Sequence, residues 1–279
     1  MNFMCELLDV SRSGYYQWLS SQSSARQQWR QELKDQIRQI HREHAGRYGA
    51  PRITAELRDR GFACNRKTVA KLMKQQQIHA LMARSFLPQT TDSNHAYVRA
   101  PNLLAQDFKA TEPNRRWVAD ITYVPTNQGW LYLAAVKDLC TRKVVGWSMK
   151  EHLKAELVCE AILDAIRKQC PGPELIHHSD QGVQYACEVF QQLLDRHQIT
   201  CSMSRAGNCY DNAAMESFWG TYKQELVYPQ HFQKKSPEEV KRATFQYIEF
   251  YYNRVRRHSA LGYTSPEAYH QSLNSGQAA

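Results

Sequence analysis

The stretch "RRWVADITYVPT" (115–126) constrains the fold most, because it sets a carboxylate in the middle of an apolar, strand-like run. Side chains alternate across a strand, so Asp120 shares a face with Val118, Thr122 and Val124 and lies opposite Trp117, Ala119, Ile121 and Tyr123. A carboxylate in such surroundings needs a backbone donor, an arginine or a cation, since burying it without one is costly. Two more strand-like runs follow at turn distance: "GWLYLAAVKDLC" (129–140), with Gly129 in the turn, and "KVVGWSMK" (143–150). Turns this short predict an antiparallel three-stranded start.

Beyond residue 150 the period changes. "KAELVCEAILDAIRKQ" (154–169) sets Leu157, Ala161, Ile162, Ala165 and Ile166 on one helical side, and Pro171 and Pro173 follow. "ELIHHSD" then reads as a strand, "ACEVFQQLLDRHQ" as a helix, "ITCSMS" as a strand and "NAAMESFWGTYKQEL" as a helix with Asp211 or Asn212 as its cap. The sum is an α/β chain: a mixed five-stranded sheet with helices after the third, fourth and fifth strands.

The N-terminal part differs in kind. From Trp29 to Glu43, Leu33, Ile37 and Ile40 fall at helical spacing, and "HAGRYGAP" interrupts the helix. Pro51 suits the first turn of a second helix carrying Ile53 and Leu57, which Gly61 stops. Asn65 caps a third, "RKTVAKLMKQQ", with Val69, Leu72 and Met73 inward and Arg66, Lys67, Lys71 and Lys74 exposed. This is a helix-turn-helix outline, and residues 41–79 hold nine Lys or Arg against three acids. The whole chain carries 36 Lys and Arg against 27 acids, a net charge of +9 that favours a polyanion, nucleic acid first. Three small basic helices packed together without DNA form the plainer alternative. From Ser85 to Asn114 three prolines and little periodicity mark a linker.

No export signal and no apolar run of about 18 residues is present, so a cytoplasmic location without a membrane partner is expected. The eight cysteines contain no CxxC pair, which predicts reduced thiols and neither a zinc knuckle nor a disulfide scaffold.

Asp180 closes the fourth strand beside a glycine, a place where open α/β sheets carry sites. Glu216 lies on the last helix, where a solvated surface role is the plain reading. Together, three carboxylates suit hard divalent cations, and two such ions roughly 3.5–4 Å apart activate a hydroxyl and stabilise a leaving phosphate oxygen. His177 and His178 are adjacent on a strand and point to opposite faces, so packing or polar support is expected of them.

Asp120 lies in "NRRWVADITY", Asp180 in "HSDQGVQY" and Glu216 in "SRAGNCYDNAAMESF", with 35 residues between the last two acids. In these motifs the chain resembles the transposases of bacterial insertion sequences with a retroviral-integrase-like core, specifically the product of the second of two overlapping reading frames. The resemblance covers nearly the whole chain and includes "GRYGAPRI", "NRKTVAKLM", "RKVVGWS" and "YNRVRRHSALGYTSP". It implies a ribonuclease-H-like α/β fold preceded by a small helix-turn-helix-like domain. The expected organisation is an N-terminal helical segment (1–30), a basic domain (31–84), a linker (85–112), the catalytic core (113–228) and a C-terminal helical extension (229–279).

The resemblance also implies that Asp120, Asp180 and Glu216 are catalytic and bind two magnesium ions, with manganese as a substitute. Lys223, about two helical turns past Glu216 and on the plainer alternative simply a solvated lysine, is expected against DNA phosphate. So are Arg254, Arg256 and Arg257, for which surface solvation is the plainer alternative, while Leu261, Tyr263 and Pro266 pack back on the core. The implied activity is cleavage at the ends of the element, freeing a 3′-hydroxyl, and transfer of that end to target DNA without a protein-bound intermediate. Implied partners are both DNAs, further copies of the chain, and the upstream reading-frame product as fusion or partner, in the bacterial cytoplasm at the nucleoid. No leucine heptad of the kind that product would supply stands at the start. A DNA-binding product that regulates the full frameshifted transposase therefore stays open as the alternative. A ribonuclease H or junction resolvase would share the core, but the 35-residue interval and flanking motifs favour transposition.

Overall fold

Ser24 fixes where the first long helix begins. Its hydroxyl accepts from the Gln27 amide at 3.3 Å while the Gln27 side chain accepts from the Ser24 amide at 2.9 Å, a reciprocal cap. In the computed structural model, which describes residues 2–20, 24–81, 100–205 and 209–276, the chain divides into two units, residues 1–81 and 82–279. The first holds α1 (Asn2–Leu7), α2 (Arg12–Ser20), α3 (Ala25–Glu43), α4 (Ala50–Asp59) and α5 (Arg66–Gln75). The expected border at residue 30 falls inside α3, because the Ser24 cap starts that helix ahead of its apolar stripe.

Leu33, Ile37 and Ile40 of α3 pack with Ile53 and Leu57 of α4 and with Val69, Leu72 and Met73 of α5 in one core. Pro51 stands in the first turn of α4. Gly61 follows it with φ +87°, and Asn65 Oδ1 accepts from the Thr68 amide at 2.8 Å to start α5. The three-helix outline is as expected. Arg66, Lys67, Lys71 and Lys74 all lie exposed along α5.

The second unit is built on β1 (Arg116–Thr126), β2 (Gly129–Asp138), β3 (Val144–Lys150), β4 (Ile176–Ser179) and β5 (Thr200–Met203) in the order β3-β2-β1-β4-β5. The first three are antiparallel, and β4 and β5 run parallel to β1. Between them lie α6 (Ala155–Gln169), α7 (Val183–Ala186) and α8 (Glu188–Arg196). The single helix expected over 186–198 is broken at Cys187, whose backbone is extended. After β5 come α9 (Ala213–Tyr222), α10 (Pro237–Phe245) and α11 (Pro266–Gly276). α9 and α10 each continue into a π-helical stretch, Lys223–Val227 and Gln246–Tyr252.

Each sheet face has its own core. Trp117 and Ala119 pack with Leu157, Ile162 and Ala165 of α6 and Phe190 of α8. Val118 and Val124 pack with Met215, Phe218 and Trp219 of α9 and Val240 of α10. The alternation read from β1 is thus realised, and it puts Asp120 on the α9 side. Of the expected linker, residues 85–99 lie outside the described residues. Residues 100–112 are bound to the sheet: Leu104 is buried in the α9-side core, and the Leu103 amide donates to Ser202 Oγ at 2.9 Å.

Leu261 and Pro266 are buried and Tyr263 is half-buried, its carbonyl accepting from Arg257 Nη1 at 2.9 Å. Among the described cysteines no disulfide occurs, and no helix among the described residues is long and apolar enough to cross a membrane.

Candidate active site

The register of the parallel pair brings two acids together. Trp117 lies beside His177 and Val118 beside His178; two residues further along the same register come Asp120 and Asp180, just past the end of β4 at Ser179. Asp120 Oδ1 accepts from the Ile121 amide at 2.8 Å and Oδ2 from the Trp219 indole N–H at 3.0 Å. Asp180 Oδ1 accepts from the Gly182 amide at 3.0 Å. Burial and then the Asp180 charge push the Asp120 carboxyl up to about 8, with Glu216 adding less, while the two donors act in the opposite sense.

Glu216 stands exposed on the first turn of α9, its carboxyl raised by partial desolvation. The helix is pinned to β1 on either side of that residue: Asn212 Nδ2 donates to the Ala119 carbonyl at 3.2 Å, and Trp219 bonds Asp120. Among the described residues no three His, Cys, Asp or Glu side chains converge closely enough to hold a metal ion. Asp120 and Asp180 come together, and Glu216 flanks them.

Two features fit a hard cation at this place. The donors are carboxylate oxygens, the ligand type magnesium and manganese take. The Tyr185 hydroxyl on α7 is buried, has no hydrogen-bond partner among the described residues, and feels the charges of both Asp120 and Asp180. Sequence reasoning missed Tyr185 and Trp219. Their only signal was nearness in sequence to Asp180 and Glu216.

Both histidines support the fold. His177 is fully buried against Phe190 and Tyr185, and burial holds its ring neutral, at about 3. On the other face His178 Nδ1 lies 2.9 Å from Ser202 Oγ and Nε2 lies 3.0 Å from the Asp211 carbonyl. Asp211 does not cap α9. Its fully buried carboxylate accepts from Asn102 Nδ2, Gln106 Nε2 and the Arg205 amide, each at 2.9 Å, and pairs with the Arg205 guanidinium at 3.0 Å. Asn212 takes the cap position, but its side chain bonds Ala119 instead of a helix amide.

Lys223 is half-buried at the end of α9; desolvation lowers its pKa while the charge of Asp120 opposes that shift. Arg254 is exposed with its guanidinium 5.4 Å from the Phe250 ring, and Arg257 Nη1 donates to the Tyr263 carbonyl at 2.9 Å. Arg256 corrects the expectation of a DNA-facing position. It is 4% exposed, binds both oxygens of the buried Glu225 at 2.9–3.0 Å, and lies over the Tyr252 ring. The ion pair occupies the face a phosphate would need.

A central strand and a parallel neighbour that present two carboxylates at their divergence, with a third acid on the covering helix, define a polynucleotidyl-transferase core of the integrase class. The integrase core domain family matches residues 110–209 and, in a second description, 197–266, and the HTH-like domain family matches residues 28–86. The insertion element IS600 uncharacterized 31 kDa protein of Shigella sonnei is 44% identical over 271 residues, 97% of this chain and 98% of its own. Transposase InsF for insertion sequence IS3A of Escherichia coli K12 is 44% identical over 269 residues, 95% of this chain and 92% of its own. The HTLV-2 integrase catalytic core in complex with magnesium overlaps 58% of this chain and 99% of its own, at 18% identity and a TM-score of 0.45. The chain belongs to the IS3 family of bacterial insertion-sequence transposases, with an integrase core and an HTH-like domain.

Proposed function

We propose that the chain is the catalytic subunit of its transposase, with Asp120, Asp180 and Glu216 as the ligands of two magnesium ions, replaceable by manganese. When bound, the ions supply activation of the attacking hydroxyl and stabilisation of the leaving phosphate oxygen. The observation that carries the reading is the pairing of Asp120 with Asp180 at the β1–β4 divergence, under a helix that bears Glu216 and is bonded to Asp120.

The chain's own residues do the rest. The Ile121 amide orients Asp120 and the Gly182 amide orients Asp180. Lys223, near enough to feel Asp120, holds a backbone phosphate beside the acids. The exposed cations of α5, with Arg254 and Arg257 at the far end of the chain, follow the DNA backbone. The reaction is hydrolysis at the element's end followed by in-line attack of the freed 3′-hydroxyl on target DNA, in an assembly of several copies together with the upstream reading-frame product.

The test is manganese-dependent disintegration of a branched DNA that mimics the strand-transfer product. Wild type is expected to resolve it, whereas folded Asp180→Asn and Glu216→Gln lose the activity by about 10²-fold or more, the scale on which charge-stabilising catalytic groups act. Full activity in either variant sinks the assignment. A second reading, a DNA-binding regulator without catalysis, draws on the exposed α5 cations. It requires DNA binding by wild type with no product under any metal.

A further inference from the structure

We propose that Trp219 is a positioning residue of the active site, its indole N–H holding Asp120 Oδ2 at 3.0 Å and so setting the direction in which that carboxylate faces a bound cation. This rests on the reading of Asp120 as a metal ligand.

Trp219 follows Glu216 by three residues, so both project from the same side of α9, one turn apart. The indole is 6% exposed and wedged beside Phe218 at 4.8 Å and Tyr222 at 6.1 Å between ring centroids, so packing fixes its orientation. An indole N–H donates and never accepts, and here the acceptor is a catalytic acid. A phenyl or aliphatic side chain would fill the same space, so apolar packing alone does not account for the N–H aimed at Asp120.

The Ile121 amide anchors the other oxygen at 2.8 Å. With one donor on each oxygen, the plane of the carboxylate is fixed and each oxygen keeps a lone pair for a cation. Remove the indole and Asp120 retains one anchor, about which it turns. One helix therefore supplies a ligand, Glu216, and the donor that orients a second ligand on the central strand. Hydrogen-bond partners of metal ligands are worth about 10–100-fold in affinity or activity when removed.

The experiment compares full-length wild type, Trp219→Phe, Trp219→His and Asp120→Asn. Free Mn2+ is titrated by electron paramagnetic resonance against DNA-free protein, and disintegration is timed at saturating DNA. Trp219→Phe is expected to melt near wild type and keep its KM for DNA within about twofold. It is expected to bind Mn2+ ~10-fold more weakly and to turn over ~10-fold more slowly, with the rate recovering as Mn2+ is raised. Trp219→His, which keeps a ring N–H, regains part of the affinity. Replacing Trp219 by benzothienylalanine, which preserves ring size and lacks the N–H, repeats the comparison with packing intact and gives the same loss. Wild-type Mn2+ affinity and turnover in both donor-free variants, with Asp120→Asn losing both, overturns the role of Trp219 and leaves Asp120 a ligand. Wild-type Mn2+ binding by Asp120→Asn overturns the ligand reading itself.

Discussion

Lys137 on β2 is a buried amine without a carboxylate partner in hydrogen-bond reach among the described residues. It is 3% exposed, donates to the Ala214 carbonyl at 3.3 Å, and lies 5.8 Å from the Phe218 ring. Burial first, then the charges of Arg142 and Arg256, lower its pKa from 10.5 to about 7. Between those values the unfolded chain binds more protons than the folded one, so stability rises with pH across the window and the penalty is complete below it. Lys137→Met removes the penalty at similar volume. The variant is expected to melt several degrees above wild type at neutral pH, with the gap closing toward about pH 10.5, the unfolded value. Melting curves across that range check this, and a gap constant with pH would mean that packing, not the amine, sets the difference. Asp211 is the opposite case: its carboxylate lies well below the usual range because Arg205 pairs with it, helped by the Arg205 amide and Gln106. It ties residues 102–106, the loop after β5 and the start of α9 into one network.

Gly146 shows why β3 and α6 pack as closely as they do. A Cβ there would fall 2.4 Å from the Ala161 carbonyl oxygen and 2.4 Å from the Ala165 amide nitrogen, so helix backbone rests directly on the strand. Gly146→Ala must separate the two elements and is expected to cost about 1–3 kcal/mol, several degrees in a thermal melt; a melt unchanged from wild type would mean that α6 shifts freely over the sheet. Elements of this kind were legible in the sequence. The strands show period two, α3 to α6 show an apolar stripe, and Asn65 and Gly61 mark real ends. What was misread depends on partners distant in sequence. Asp211 has the composition of a cap, but Asn102 and Gln106, 109 and 105 residues earlier, claim its side chain. Arg256 belongs to a run of arginines, but Glu225, 31 residues earlier, buries it. The break at Cys187 and the two π-helical stretches leave no periodic trace, because local pattern cannot say how tertiary packing bends a helix. The pairing of Asp120 and Asp180 was implied by their motifs, whereas the donor on Trp219 became visible only once α9 lay across β1.

At the scale of the molecule, charge and chemistry are divided between the units. The surplus that makes the net charge +9 includes the four exposed cations of α5 in the first unit, while Asp120, Asp180 and Glu216 belong to the second. Each cation that neutralises a phosphate releases counterions, so the logarithm of affinity falls with the logarithm of salt by about 0.9 for each contact on duplex DNA. Replacing Arg66, Lys67, Lys71 and Lys74 together by alanine is therefore expected to weaken DNA binding and to reduce that slope by up to about 3.6, were all four to touch phosphate. The disintegration rate at saturating DNA should stay near wild type, since the acids are untouched. Lys223→Ala separates the two effects in the other direction. One phosphate contact is lost, lowering the slope by about 0.9, and the rate at saturation falls because that cation stands within reach of the Asp120 charge. Fluorescence anisotropy against salt and single-turnover kinetics on the same branched DNA supply both readouts. An unchanged slope in the fourfold variant would remove α5 from the DNA path and leave the core, with Lys223, Arg254 and Arg257, as the surface that holds the substrate.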